Sequence, residues 1–331
     1  MTSSMHNEHA PLEVDEDTIH ETEAFMDSTQ SLTSSILEQV YAHGRRYHRK
    51  SLYENDQYMM PADETEFDRL DLMHHLMQHL LDGRLFTAPL TEQPKNVLDC
   101  GTGTGIWALE FGEINPHSNV IGVDLAPNQP ALTYPNVFFE TDDLEKEWLW
   151  EKGYFNFIHS RMLGTSIKDW GRYTEQMFDH AAPGAFIELS EHSLHYPFCD
   201  DNSVPDDSIL FQWGDSLVAA FERVGVYVRA FSPSFFTSHL EAAGFVDVQV
   251  RTYKIPRGRD SGIVRQKLTW RWETGLEAYA LMPLTRLLNM PEEEARRICA
   301  ECYETILAGR QHVAGGRAET VPILKDALMH R

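Results

Sequence analysis

No Lys or Arg precedes Arg45, while Glu8, Glu13, Asp15, Glu16, Asp17, Glu21, Glu23 and Asp27 crowd the same stretch. Like charge with few apolar side chains predicts that residues 1–30 form a disordered acidic arm. That start also lacks the basic and apolar regions of a signal peptide. No run approaches the roughly 18 apolar residues that cross a bilayer, so no membrane contact is expected. Cysteine is scarce, with Cys100, Cys199, Cys299 and Cys302 the only four in 331 residues. That excludes a disulfide framework and suits a reducing compartment, so the expected location is cytoplasmic. Cys299 and Cys302 form a C-x-x-C without a second pair, inside a stretch that reads as helix, and neither metal binding nor redox function is expected of them. The formal net charge of −23 leaves no cationic surplus for direct nucleic-acid binding. Internal repeats are absent.

What is present begins with a helix expected over 31–43 and a loop rich in Tyr and His over 44–61. Asp63 and Glu66 have the spacing of a capping box. Phe67, Leu70, Met73, Met77 and Leu80 then keep helical spacing until Gly83. His75 and His79 stand one turn apart on that helix. No further ligand accompanies them, and surface or core-edge histidines without metal are expected.

From Asn96 the pattern becomes short apolar strands alternating with helices. Strands are expected at 96–100, 120–124, 137–140, 155–160 and 185–191, with helices at 105–113 and 171–182. This alternation predicts a parallel sheet covered on both faces. A later alternating strand covers 244–256, preceded by an amphipathic helix. Residues 207–224 and 266–308 read as mostly helical.

The first strand runs into Cys100-Gly101-Thr102-Gly103-Thr104-Gly105. Glycines here let the backbone turn tightly and let a ligand touch the main chain, beside the free N–H groups of a helix start. The loop is G-x-G-x-G preceded by Asp99. It is not the dinucleotide G-x-G-x-x-G, and it lacks the Lys and Ser/Thr of a P-loop. Asp124 ends the second strand, placed to accept ribose hydroxyls. Asp143 follows the third, placed to meet an adenine amino group. A glycine loop with acids at successive strand ends predicts an adenosine ligand without phosphate, which points to S-adenosylmethionine.

With those residues in place, the chain resembles the class I S-adenosylmethionine-dependent methyltransferases, and within them the LaeA-like methyltransferases of filamentous fungi. The resemblance runs from about residue 44 to 312. It is carried by GRRYH, YMMP, DETEFDRLDLMHH, VLDCGTGTGIWALEF, VIGVDLAPNQP, DDLEKEW, FNFIHSRMLGTSIKDW, APGAFIELSE and LEAAGFVDV.

The resemblance implies an α/β, Rossmann-like fold with a mostly parallel seven-stranded sheet, helices on both faces and an N-terminal helical lid. The chain is divided accordingly into a lid over 31–95, a cofactor-binding core over 96–256 with a helical insertion near 200–232, and a C-terminal helical region over 257–331. The implied seat for S-adenosyl-L-methionine comprises Asp99, Gly101, Thr102, Gly103, Gly105, Asp124, Leu125, Asp143, Leu144 and His159, with Tyr58 from the lid. Asp63, Glu66 and Arg69 belong to the helix expected beside it.

Two departures stand out. Asn156 replaces the aspartate that usually opens the fourth strand, which removes a carboxylate there. The tail beyond His312 loses the family pattern and reads as helical or loose, leaving the last strand in question.

Methyl transfer from a sulfonium relies mainly on positioning. A base is needed only where the acceptor carries a proton, and His159, Glu191 and His192, with His195, are the candidates. Three functions remain open. One is methylation of an oxygen or nitrogen of a small fungal metabolite. Another is nuclear regulation of secondary metabolism through protein partners. The third is use of the bound cofactor to shape a pocket for a rearrangement without methyl transfer.

Overall fold

A computed structural model describes residues 38–53, 58–192, 205, 207–228, 231–256, 262–312 and 320–330. The acidic arm, Cys199, His195 and most of the linker after the fifth core strand lie outside the described residues.

The chain opens with a hairpin, β1 (Gln39–Ala42) and β2 (Arg45–His48), which pair antiparallel across a turn at His43 and Gly44. The helix expected over 31–43 is therefore a strand where the structure describes it. Both turn residues have positive φ, a conformation that ends helical geometry. A short helix α1 (Arg49–Tyr53) follows, then α2 (Glu64–Leu80). The Asp63 side chain caps α2 by accepting from the Glu66 N–H at 3.0 Å, a contact worth about 1 kcal/mol. Arg45 grips the same carboxylate through Nε and Nη2, both at 2.6 Å, so the hairpin and the helix start are locked together.

The core strands are β3 (Asn96–Cys100), β4 (Asn119–Asp124), β5 (Val137–Thr141), β6 (Phe155–Arg161) and β7 (Ala181–His192). They alternate with α3 (Ile106–Ile114) and α4 (Trp170–His180). After β7 come α5 (Ile209–Glu222), α6 (Pro233–Ala243), β8 (Val246–Pro256) and α7 (Gly262–Met282). A π-helical turn (Pro283–Leu287), α8 (Glu292–His312) and β9 (Thr320–His330) complete the chain.

One seven-stranded sheet has the order β5-β4-β3-β6-β7-β9-β8. The first five strands of that order are mutually parallel, and β9 runs antiparallel to both neighbours. The tail expected to be helical or loose thus forms the strand between β7 and β8. Its residues Val321 to Met329 alternate poorly, and pairing on both sides, a long-range property, overrides the weak local signal.

Chain order reverses between β3 and β6, opening a crevice at their carboxyl ends. Asn156 lies at the opposite end. Its Oδ1 accepts from the Asn96 N–H at 3.0 Å, tying the entrances of β3 and β6 together. The missing carboxylate is therefore remote from the crevice.

Two apolar clusters cover the sheet. Trp107, Phe111, Val97, Val120 and Phe157 fill one face, and Ile158, Ile187, Trp170, Tyr173, Met177 and Leu240 the other. A third core joins Tyr47, Leu52, Met59 and Met60 from the beginning of the chain to Trp213, Leu217 and Phe221 of α5, Leu276 of α7 and Ile298 of α8. The helical cap is built from both ends of the sequence. Within it the Cys299 and Cys302 thiols are buried and donate to the carbonyls of Leu276 and Ile209. Burial pushes both thiols up to about 12, leaving them protonated and poor metal ligands.

Candidate functional site

Where β3 ends, the backbone passes through positive φ at Gly101, Gly103 and Gly105 (68°, 60° and 83°). The three glycines meet different surroundings. A Cβ on Gly105 would stand 2.5 Å from the Phe139 ring, and one on Gly101 2.3 Å from Leu163 Cδ2. On Gly103 it would meet, among the described residues, nothing nearer than Leu70 Cδ1 at 3.7 Å. Gly101 and Gly105 are bare because protein packs against them. Gly103 is bare beside open space.

That space is a cleft lined by Asp99, Gly101, Thr102, Gly103, Asp124, His159 and Tyr58, together with Arg69, Arg161 and Tyr279. Asp124 Oδ2 accepts from the Gly103 N–H at 2.9 Å and Oδ1 from the Ala126 N–H at 3.1 Å. Gln129 Nε2 donates to the Gly103 carbonyl at 2.7 Å. Helix α2 joins in, with Thr104 Oγ1 donating to Asp71 at 2.6 Å. Burial raises the Asp124 carboxyl to about 6 against the pull of these N–H donors and with a push from Asp99.

Asp99 and His159 are register partners on adjacent strands. His159 Nδ1 lies 2.7 Å from Asp99 Oδ1, and Thr102 Oγ1 donates to Oδ2 at 2.6 Å. An ionised carboxylate only accepts, so Nδ1 carries the proton and Nε2 is left as an acceptor. The ring stacks on Trp107 at 3.9 Å with an interplanar angle of 1°. Burial lowers the His159 pKa despite Asp99, so the ring is neutral near pH 7.

The remaining residues of the expected seat stand elsewhere. Gly105 is the N-cap of α3, packed on Phe139, and does not line the cleft. Leu125 is partly buried just past Asp124 and is likewise outside the lining. Leu144 is buried in the sheet-face core, and its carbonyl accepts from Trp148 Nε1 and Gln176 Nε2. Asp143 caps a turn by accepting from the Glu145 N–H at 3.0 Å. Glu191 and His192 line a smaller recess beside the cleft, with Gly164, Val228 and Phe231. Met162, Thr165 and Tyr279 belong to both spaces. Glu191 accepts from the Leu163 and Gly164 N–H groups at 2.7 and 3.1 Å, and burial raises it to about 8.

Three features were not legible in the sequence. Glu188 is buried and accepts from the Thr87 and Ala88 N–H groups at 2.7 and 2.8 Å, fastening the segment before β3 to β7. Tyr279 reaches the cleft from α7, more than a hundred residues after the glycine loop. Arg161, His74 and Glu110 form a relay, with Arg161 Nη2 3.0 Å from His74 Nδ1 and His74 Nε2 3.0 Å from Glu110.

Among the described residues, His74, His75 and Glu110 also bring three potential metal ligands within 4.8 Å. A metal-bound His normally donates its second nitrogen to an acceptor. Here His74 Nδ1 faces a guanidinium, which only donates. The arrangement is that of a hydrogen-bond relay. His79, the other member of the spaced pair, is exposed and outside the group.

The cleft suits an adenosyl amino acid. Gly103 leaves room for a ligand on the main chain, Asp124 offers a carboxylate at the second strand end, and Asp99 and Arg69 supply opposite charges within one cavity. Among the described residues no helix is long and apolar enough to cross a membrane.

A profile described as methyltransferase domain matches residues 72–250. The "Methyltransferase pytC" of Aspergillus terreus is 38% identical over 274 residues, covering 81% of this chain and 82% of that protein. The "Secondary metabolism regulator LAE1" of Cochliobolus heterostrophus is 34% identical over 262 residues, covering 74% and 81%. Among solved structures, coclaurine N-methyltransferase bound to N-methylheliamine and S-adenosylhomocysteine aligns with 14% identity and a TM-score of 0.48, over 96% of this chain and 89% of that one.

Proposed function

The chain belongs to the methyltransferase-domain family and is an S-adenosylmethionine-dependent methyltransferase, and from that premise we propose that it methylates an oxygen or nitrogen of a small molecule in fungal secondary metabolism. The observation that carries the reading is the open side of Gly103, bounded by Asp99 and Asp124 and adjoining a second recess.

S-adenosylmethionine supplies an activated methyl on sulfur. The residues that would hold it are Asp99, Gly101, Thr102, Gly103, Asp124 and His159, with Tyr58 and Arg69 from the lid side. We place the acceptor at the recess of Gly164, Thr165, Val228, Phe231 and Tyr279, which Glu191 and His192 also line. In-line transfer then depends on the two spaces being held in register. The Leu163–Gly164 loop between them is fixed by its two N–H donations to Glu191.

Where the acceptor must lose a proton, Glu191 and His192 border it most directly. Glu191, with a carboxyl near 8, is a competent acid–base at neutral pH. His159 holds its proton on the Asp99 side and presents Nε2, so it serves the cofactor end.

Incubation with isotopically labelled S-adenosylmethionine and a panel of phenols, carboxylic acids and amines tests the reading. A labelled product supports it. Cofactor binding without transfer to any of them, alongside altered transcripts of many metabolite clusters on gene deletion, favours the second reading. That reading is a nuclear regulator acting through protein partners, supported by the relatives named as secondary metabolism regulators. An unmethylated but isomerised product would instead indicate a rearrangement. For the enzymatic reading we place the protein in the cytoplasm, without direct nucleic-acid or membrane contact.

A further inference from the structure

Arg69 is 1% exposed and lines the cleft. Its Nε donates to Glu66 Oε2 at 2.8 Å and its Nη2 to Glu66 Oε1 at 2.5 Å, a two-pronged pair on adjacent turns of α2. The guanidinium carbon sits 4.9 Å over the Tyr279 ring of α7. Nη1 is buried and, among the described residues, has no hydrogen-bond partner. A buried charged donor left unsatisfied is costly, and native proteins retain one where a ligand, an ordered water or an ion completes it or where it serves function. The missing partner has to be an acceptor, and an anion fits a cation best.

The other charged groups of the cleft are already engaged. Arg161 is held against His74, Asp99 against His159 and Thr102, and Asp124 against the glycine-loop and Ala126 N–H groups. A zwitterionic amino-acid tail has one group for the acidic side of the cavity and one for the cationic side. The geometry points to Arg69 Nη1 as the seat of the α-carboxylate of the cofactor, an inference that rests on the cofactor assignment above. Glu66 fixes the fork, so the third edge of the guanidinium faces the ligand in one orientation. The lid helix, through Arg69, and the C-terminal cap, through Tyr279, then become parts of the cofactor seat.

Calorimetry with S-adenosylhomocysteine and with its decarboxylated analogue isolates this carboxylate. Arg69→Lys keeps a cation beside Glu66 but loses the planar fork. Glu66→Gln with Arg69→Gln removes both charges, so neither variant leaves Glu66 as a lone buried anion. The parent should bind S-adenosylhomocysteine about ten- to a hundredfold more tightly than the decarboxylated analogue. Both variants should lose that preference while binding the analogue within about twofold of the parent. A parent with equal affinity for the two ligands overturns the assignment, as do variants that weaken both ligands equally. A parent that binds neither ligand overturns the cofactor reading itself.

Discussion

Alanine at Gly103 and at Gly105 should fail in different ways, and the difference tests whether the cleft is a ligand seat. Both residues sit at positive φ, 60° and 83°, which costs an L-residue about 1–2 kcal/mol. At Gly103 little is added, since the new methyl meets only Leu70 Cδ1 at 3.7 Å, an ordinary contact. At Gly105 the methyl would stand 2.5 Å from the Phe139 ring. The ring is held in the sheet-face cluster and has to move, adding about 1–3 kcal/mol of overpacking. The expected loss of stability is therefore about 1–2 kcal/mol for Gly103→Ala and about 2–5 kcal/mol for Gly105→Ala. Ligand binding should reverse the order of severity per unit of stability. Gly103→Ala fills space on the cleft side and should weaken S-adenosylhomocysteine at least about tenfold, or 1.4 kcal/mol. Urea unfolding measures the first quantity and calorimetry the second. If Gly103→Ala binds S-adenosylhomocysteine like the parent, the open side of Gly103 is not where the ligand touches the backbone. Equal destabilisation by the two variants would refute the packing argument.

Other expectations concern protons, the tail and metals. The Asp124 carboxyl is raised from 3.8 to about 6, so the folded protein retains a proton that the unfolded chain has released. Its ionisation therefore opposes folding, negligibly below about pH 4 and fully above about pH 6, by up to about 3 kcal/mol. Asp124→Asn should gain stability relative to the ligand-free parent between about pH 4.5 and about pH 7.5, as read by urea unfolding at both; a pH-independent difference would contradict the shift. Truncation after His312 removes β9 and exposes β7 and β8 to unpaired edges, so the product should aggregate in size-exclusion chromatography, whereas a soluble, cooperatively unfolding truncate would deny β9 its central place. Prolonged chelation should leave the thermal midpoint unchanged, because Cys299 and Cys302 are protonated thiols bonded to carbonyls and His74 is held by Arg161 and Glu110; a drop on chelation would reinstate a structural metal.

Much of the core was readable because local and global signals agree there. Residues 96–100 read as a strand and are one, since every position is buried and the run is bounded by a turn the glycines require. The Asp63 cap was equally legible, because capping needs only a side chain three residues from its donor. The hairpin at 39–48 and strand β9 were misread. Each is stabilised by partners distant in sequence, which periodicity does not register. Asp143 and Leu144 have the spacing expected of adenine contacts. The structure places the first in a turn and the second in the sheet-face core.

The amino-acid sequence alone determined that this chain folds around a parallel α/β sheet, with a glycine bend between a buried acid and a helix start, and hence what class of ligand it holds. These features depend on neighbours a few residues apart. Tertiary structure alone decided that Gly103 faces space while Gly101 and Gly105 face side chains. It also brought Tyr279 to the cleft from the far end of the chain, and put the tail inside the sheet. Those outcomes depend on which distant surfaces exclude water from one another, and residue spacing does not encode them.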